Sequence, residues 1–235
     1  MSRILIVPDV HGRKFWHKAE ELIDEVDLVV FLGDYLDPYP HEGISFDDAV
    51  YEFREILKFK EQYPNKVILL IGNHDCHYLI PEFMDCSRLN RQRCVEMYQL
   101  YIDNLTKFKL IHEYDTYLFS HAGVYDGWLT RNNLSLEELN DFISFIREKW
   151  RTLEDVSWYR GGYSQVGSCV WADLRESLKH DLLHAKWHIV GHTQLESKPY
   201  ISDKIVCLDV RRCFILDTET NEIDEVTEEI PENFS

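Results

Sequence analysis

The chain has no apolar run approaching the length of a membrane span. The short ILIV stretch after Arg3 is broken at Pro8–Asp9, too soon for a secretory h-region. Its six cysteines (76, 86, 94, 169, 207 and 213) include no Cys-x-x-Cys pair, and nothing points to export, so they read as reduced thiols of a cytoplasmic protein. Basic residues are scarce: 25 face 42 acidic ones, for a formal charge of −17. Such a surface repels polyanions and disfavours duplex nucleic acid as a partner. A small phosphorylated substrate stays open, because bound dications reverse the field locally. No basic residue follows Arg212, and the acidic C-terminal tail from about 218 reads as a solvated terminus. Repeats, linkers and low-complexity breaks are absent too, so residues 1–235 read as a single domain.

What the chain does have is one signature, used repeatedly. Val67–Asp75 reads VILLIGNHD: five branched or long apolar residues, as in a strand buried on both faces, running straight into Gly, amide, imidazole and carboxylate. A rigid strand that ends this way delivers its polar groups to one edge of a sheet, where open α/β folds bind ligands. Gly72, lacking a Cβ, lets the backbone turn sharply there. The pattern recurs in RILIVPDVHG (Arg3–Gly12), DLVVFLGDYLD (Asp27–Asp37), TYLFSHAGV (Thr116–Val124) and WHIVGHTQ (Trp187–Gln194). Ordinary turns are built from Gly, Pro, Asn and Ser rather than repeated histidines. Histidine and carboxylate from several strand ends suit divalent first-row metals.

Between these strands the spacing predicts helices over Arg13–Glu25, Ser45–Tyr63, Arg88–Leu105 and Leu174–Ala185, and from Ser135 to about Lys149. Ser45 is a plausible N-cap, and Ser135-Leu-Glu-Glu138 a capping box. Pro38–Gly43 (PYPHEG) is a loop leaving the Asp34 edge, with His41 a solvated histidine. Ile205–Leu208, Cys213–Asp217 and Glu222–Val226 form a closing meander. His180 and His184, four apart on a predicted helix, read as plain helix surface.

Taken together, Asp9, His11, Asp34, Asn73, His121 and His192 mix oxygen and imidazole donors, which fits manganese, iron or zinc better than calcium or magnesium. Six donors exceed the needs of one catalytic ion and divide naturally between two ions sharing a carboxylate.

The ordered set Asp9-x-His11, Gly33-Asp34-x-x-Asp37, Gly72-Asn73-His74-Asp75, His121-Ala-Gly123 and Gly191-His192 resembles the calcineurin-like metallophosphoesterases. GDYLD, HAG and GHT look closest to the serine/threonine protein phosphatases and symmetrical diadenosine tetraphosphatases. The resemblance implies an α/β fold of two mixed sheets packed face to face and flanked by helices, a four-layer αββα sandwich. It implies two divalent metal ions, manganese foremost, with iron or zinc as alternatives. Asp9 and His11 would bind the first ion, Asp34 would bridge, and Asn73, His121 and His192 would complete the second. His74 matches the general acid and Asp37 the carboxylate that orients it, a pairing that favours imidazolium. Asp75 reads as a loop-fixing group.

Two positions depart from that pattern. Pro38 stands where the protein phosphatases carry a phosphate-clamping Arg, and Gln194 stands where the wider family has a second His. Charge on the transferred phosphoryl group still needs a cation, for which Arg160 (WYRGG) is the first candidate and Arg175 (WADLRE) the second. The expected activity is hydrolysis of a phosphomonoester by direct attack of metal-bound hydroxide, on a small phosphorylated substrate, a nucleotide or a phosphoprotein. A phosphodiesterase or nucleotide hydrolase on the same site and a non-catalytic metal-binding scaffold are the alternatives. Decay should have replaced a ligand or His74, and none is missing.

Overall fold

The computed structural model describes residues 2–83, 86–183 and 186–226. Three apolar runs form consecutive parallel strands: β1 (Arg3–Val7), β2 (Leu28–Phe31) and β3 (Val67–Leu70). A two-residue strand, β4 (Phe108–Lys109), extends them on one side. The chain then builds a second sheet from β5 (Ile111–Tyr114), β6 (Tyr117–Ser120), β7 (Trp187–Val190), β8 (Tyr200–Ile201) and β9 (Ile205–Cys207). Finally β10 (Phe214–Asp217) and β11 (Ile223–Glu225) return to the first sheet. The orders are β11-β10-β1-β2-β3-β4 and β5-β6-β7-β9-β8, both mixed. Part of the acidic tail is therefore an edge strand, β11, antiparallel to β10; residues 227–235 lie outside the described residues.

Side-chain alternation assigns the layers. Ile4, Ile6, Val30, Ile68 and Leu70 of the first sheet pack with Tyr117, Phe119, Ile189 and Val206 of the second in one dry layer. Leu5, Val7, Val29, Phe31, Val67 and Leu69, one residue out of phase, join the helix-facing core with Phe53, Ile56 and Trp16. Each such side chain contributes about 1.5–3 kcal/mol on burial, so the inter-sheet layer fixes the strand ends relative to one another. The predicted αββα arrangement is the observed one.

The helix Phe46–Gln62 follows its prediction, with Ser45 Oγ accepting from Asp48 N at 3.0 Å in a capping box. Others are shorter than their periodicity implies. Arg13–Glu25 yields a 3-10 turn at Phe15–His17 and a single helical turn, Lys18–Glu21. The span from Ser135 splits into Leu136–Asn140 and Phe142–Glu148, because Asp141 leaves helical geometry and caps the second piece through Ser144 N. Arg88–Leu105 is helical over Cys94–Asp103, after a 3-10 turn at Arg91–Arg93. Leu174–Leu178 is 3-10 helix rather than the start of a long helix, and His180 follows in a bend. His180 is therefore not on a helix, and His184 and Ala185, the rest of that reading, lie outside the described residues. Among the described residues, no helix is long and apolar enough to cross a membrane.

Candidate metal centre

The parallel strands β1, β2, β3, β6 and β7 all point their C-terminal ends at one cleft. Asp9 and His192, far apart in sequence, meet directly: His192 N donates to Asp9 Oδ1 at 2.9 Å and Oδ2 at 3.2 Å. His11 and His121 are each fixed by a carbonyl, Nδ1 to Leu36 O at 2.7 Å and Nδ1 to Leu32 O at 2.8 Å. A carbonyl only accepts, so both rings carry their proton on Nδ1 and turn an Nε2 lone pair inward. Asp34 Oδ2 stands 3.6 Å from His11 Nε2 and 3.6 Å from His121 Nε2. Asp34 thus belongs to two groups of side chains close enough to hold a metal ion, one with His11 and His74 and one with His121 and His192.

The donor set fits divalent cations. His121 Nε2 lies 2.9 Å from Asn73 Oδ1 and 3.0 Å from His192 Nδ1, an array of lone pairs facing one another. Among the described residues, His192 Nε2 is buried without a hydrogen-bond partner. Burial lifts the Asp34 and Asp9 carboxyls well above the usual carboxylate range, with Asp75 adding to the first and Asp209 to the second. Burial likewise holds His11 and His192 well below the imidazole range, aided by His74 beside one and Arg160 beside the other. Neutral imidazoles and crowded carboxylates want cations in place of protons.

The backbone is bent to present these groups. His11, Asp34, Asp37 and His192 all have φ between 46° and 61°, a left-handed region costly for non-glycine residues. Asp75 holds the Asp34 turn: its Oδ2 accepts from Asp34 N at 2.7 Å and Gly72 N at 2.8 Å, its Oδ1 from Tyr35 N at 3.1 Å and Tyr101 OH at 2.6 Å. Gly72 has ordinary extended backbone (φ −100°, ψ 179°), so freedom to turn is not what requires it. A Cβ at Gly72 would strike Asp34 Oδ1, and one at Gly191 would strike Asp9 Oδ1. The glycines make room for carboxylates.

His74 and Asp37 pair as expected, Nδ1 to Oδ2 at 2.7 Å, and Tyr78 OH donates to the other carboxylate oxygen at 2.5 Å. Sequence reasoning missed the next neighbour. Arg88 donates from Nε to Asp37 O at 3.0 Å, places Nη2 3.3 Å from His74 Nε2 and lies 3.8 Å over the Tyr39 ring. Burial raises Asp37 to about 7 against the lowering effects of Tyr78 and Arg88. Burial, Arg88 and His121 hold the His74 ring well below its usual range. The carboxylate's preference for imidazolium is therefore opposed. A guanidinium only donates, so His74 carries its proton on Nδ1 and offers Nε2 as acceptor to Arg88.

Arg160 reaches the same cleft, donating from Nη2 to Thr193 Oγ1 at 2.6 Å and His192 O at 3.2 Å while pairing with Asp173 at 2.8 Å. Arg175 stands apart: it also pairs with Asp173, at 2.7 Å, stacks on Tyr159, and its side chain is 58% exposed. Gln194 sets its side-chain amide against the Arg211 guanidinium. From the PYPHEG loop Tyr39, not His41, lines the cleft, and Glu42 binds buried Arg13. Asp209, just past β9, is buried beside Asp9; the apolar run Ile205–Leu208 ending in Asp carries the same signature as the other strand ends. The cleft holds about 150 Å³ between the ligand set and Tyr39, Ser87, Arg88, Arg160 and Trp171.

Comparison with known proteins agrees with this geometry. A cold-active protein-tyrosine phosphatase from a psychrophilic Shewanella superposes with a TM-score of 0.62 at 16% identity, over 97% of this chain and 81% of that one. A protein serine/threonine phosphatase from Saccharomyces cerevisiae superposes with a TM-score of 0.55 at 14% identity, again over 97% and 81%. At such identities the likeness is one of fold. No curated protein matches the sequence significantly. The profile of the calcineurin-like phosphoesterases matches residues 2–195, and the chain belongs to that family of metal-dependent hydrolases of phosphoester bonds.

Proposed function

We propose that the protein hydrolyses phosphomonoesters at a two-metal centre in which Asp34 is the shared ligand. The observation that carries this reading is the equal 3.6 Å spacing of Asp34 Oδ2 from the Nε2 atoms of His11 and His121. Asp9 and His11 would hold one manganese-class ion with Asp34; Asn73, His121 and His192 would hold the other. When bound, the ions neutralise phosphoryl charge and lower the pKa of the attacking water. The protein's own groups do the rest. Arg88 and Arg160 approach the cleft from the Asp37–Tyr39 side and the His192–Thr193 side, and two guanidiniums there would grip the phosphoryl oxygens in the manner Pro38 cannot. Drawing Arg88 onto the phosphoryl group frees His74 Nε2 to carry the proton passed to the leaving oxygen, while Asp37, held by Tyr78, keeps the ring oriented. A cleft of about 150 Å³ is below the range usual for whole-ligand pockets, which favours entry of a terminal phosphoryl group with the leaving group outside.

The test is hydrolysis of p-nitrophenyl phosphate against bis(p-nitrophenyl) phosphate with Mn²⁺. Monoester preference by about ten-fold or more in kcat/KM, or about 1.4 kcal/mol, is expected. Preference for the diester would replace this reading with a phosphodiesterase. Phosphopeptides, nucleotides and diadenosine tetraphosphate assayed side by side would then define the substrate class.

A further inference from the structure

Beside the cradle lies a ligand group of different character. Cys86 Sγ is 3.3 Å from His74 Nδ1 and 4.0 Å from Asp37 Oδ2, and those two atoms are 2.7 Å apart. The donor atoms of Asp37, His74 and Cys86 all lie within 4.8 Å of one another. Cys76, Cys169, Cys207 and Cys213 are buried, and none of them joins a ligand group among the described residues. Cys86 is half-buried, so an ion can reach it from solvent.

We propose that Asp37, His74 and Cys86 form a third metal position, selective for a thiophilic dication of the zinc class, that competes with the orienting hydrogen bond of His74. The cradle around Asp34 offers only oxygen and nitrogen, which suits manganese; a thiolate beside imidazole and carboxylate selects zinc instead. Burial, with Asp37 and Asp34 nearby, pushes the free thiol upward, so Cys86 is no thiolate until a cation displaces its proton. Binding releases that proton to water and moves the His74 proton from Nδ1 to Nε2. The Arg88 contact at Nε2 is then lost, since two donors would face each other. A neutral, metal-bound imidazole is a far weaker proton donor than imidazolium, so this ion would slow turnover. That consequence rests on His74 acting as the acid; the binding itself does not.

The test uses Mn²⁺-loaded enzyme titrated with Co²⁺ and, separately, Zn²⁺. Co²⁺ should raise a thiolate-to-cobalt charge-transfer band in wild type and in Cys94→Ser, and none in Cys86→Ser or Cys86→Ala. The Zn²⁺ concentration for half-inhibition of p-nitrophenyl phosphate hydrolysis should rise about ten-fold or more in Cys86→Ser, the scale of losing one ligand-shell contact. A band of equal strength in Cys86→Ser, no band in wild type, or equal zinc sensitivity in both would overturn the proposal. Protein that shows the Cys86-dependent band but never hydrolyses the ester would instead refute the phosphatase reading.

Discussion

Replacing Asp75 with Asn tests how the site is held without touching any proposed ligand. The carboxylate accepts from three backbone N–H groups (Asp34, Tyr35, Gly72) and from Tyr101 OH, and is fully buried. An Asn side chain keeps the volume and can keep its oxygen where Oδ2 sits, preserving the Asp34 and Gly72 contacts as neutral hydrogen bonds. Its NH2 then faces the Tyr35 N–H and the Tyr101 hydroxyl. The hydroxyl can rotate to accept; the N–H cannot, and a buried unsatisfied donor costs about 1–3 kcal/mol. Weakening two charge-assisted bonds adds about 1 kcal/mol. Asp75→Asn should therefore lose about 3 kcal/mol in urea unfolding at pH 7, with an unchanged m-value, a large share of the roughly 5–15 kcal/mol typical of a domain. Because those bonds hold Asp34 at φ 56°, Mn²⁺ affinity should fall as well. A variant within about 0.5 kcal/mol of wild type and with undiminished affinity would refute the role assigned to Asp75.

Acid should destabilise the protein through His188. Burial lowers this ring to about 4, and Val124 N–H at Nδ1 with Leu183 O at Nε2 suits the neutral form. The unfolded ring takes a proton below about 6.5 that the folded ring refuses, so its contribution is complete above that pH and is lost as pH falls toward 4. About 2 kcal/mol should go by pH 5, read from urea midpoints, and His188→Gln should flatten that slope. Arg88→Ala should cut kcat/KM on p-nitrophenyl phosphate about 10²-fold or more, the scale of losing one preorganised charge contact, whereas Arg175→Ala should stay within about three-fold. His74→Asn should lower kcat about 10²–10⁴-fold, with a greater loss on an alkyl phosphate than on the p-nitrophenyl ester, whose leaving group needs little protonation. Equal losses on the two would remove His74 as the acid.

The elements that read well from sequence are those with one dominant cause. Buried parallel strands are uniformly apolar, and their abrupt polar ends placed Asp9, His11, Asp34, Asn73, His121 and His192 at one edge, where the fold brings them together. Capping at Ser45 is equally local. What escaped depends on tertiary context. Arg88 sits at φ 68° in an irregular segment, and its direction is set by Tyr39 and the Asp37 carbonyl, more than forty positions away in sequence. Asp209 ends the run Ile205–Leu208, which reads as part of a closing meander because no His, Asn or Gly stands beside that Asp to mark it as a site. At Leu174–Leu178 the apolar spacing suits a helix, yet Asp173 caps a 3-10 turn and binds Arg160 and Arg175, and the chain leaves helical geometry.

The most direct measurement is the manganese content and EPR spectrum of wild type and Asp34→Asn after Mn²⁺ loading. One shared carboxylate predicts two Mn²⁺ per wild-type chain with an exchange-coupled spectrum, and loss of that coupling in the variant. At most one Mn²⁺ per wild-type chain, or two that are magnetically independent, would contradict it.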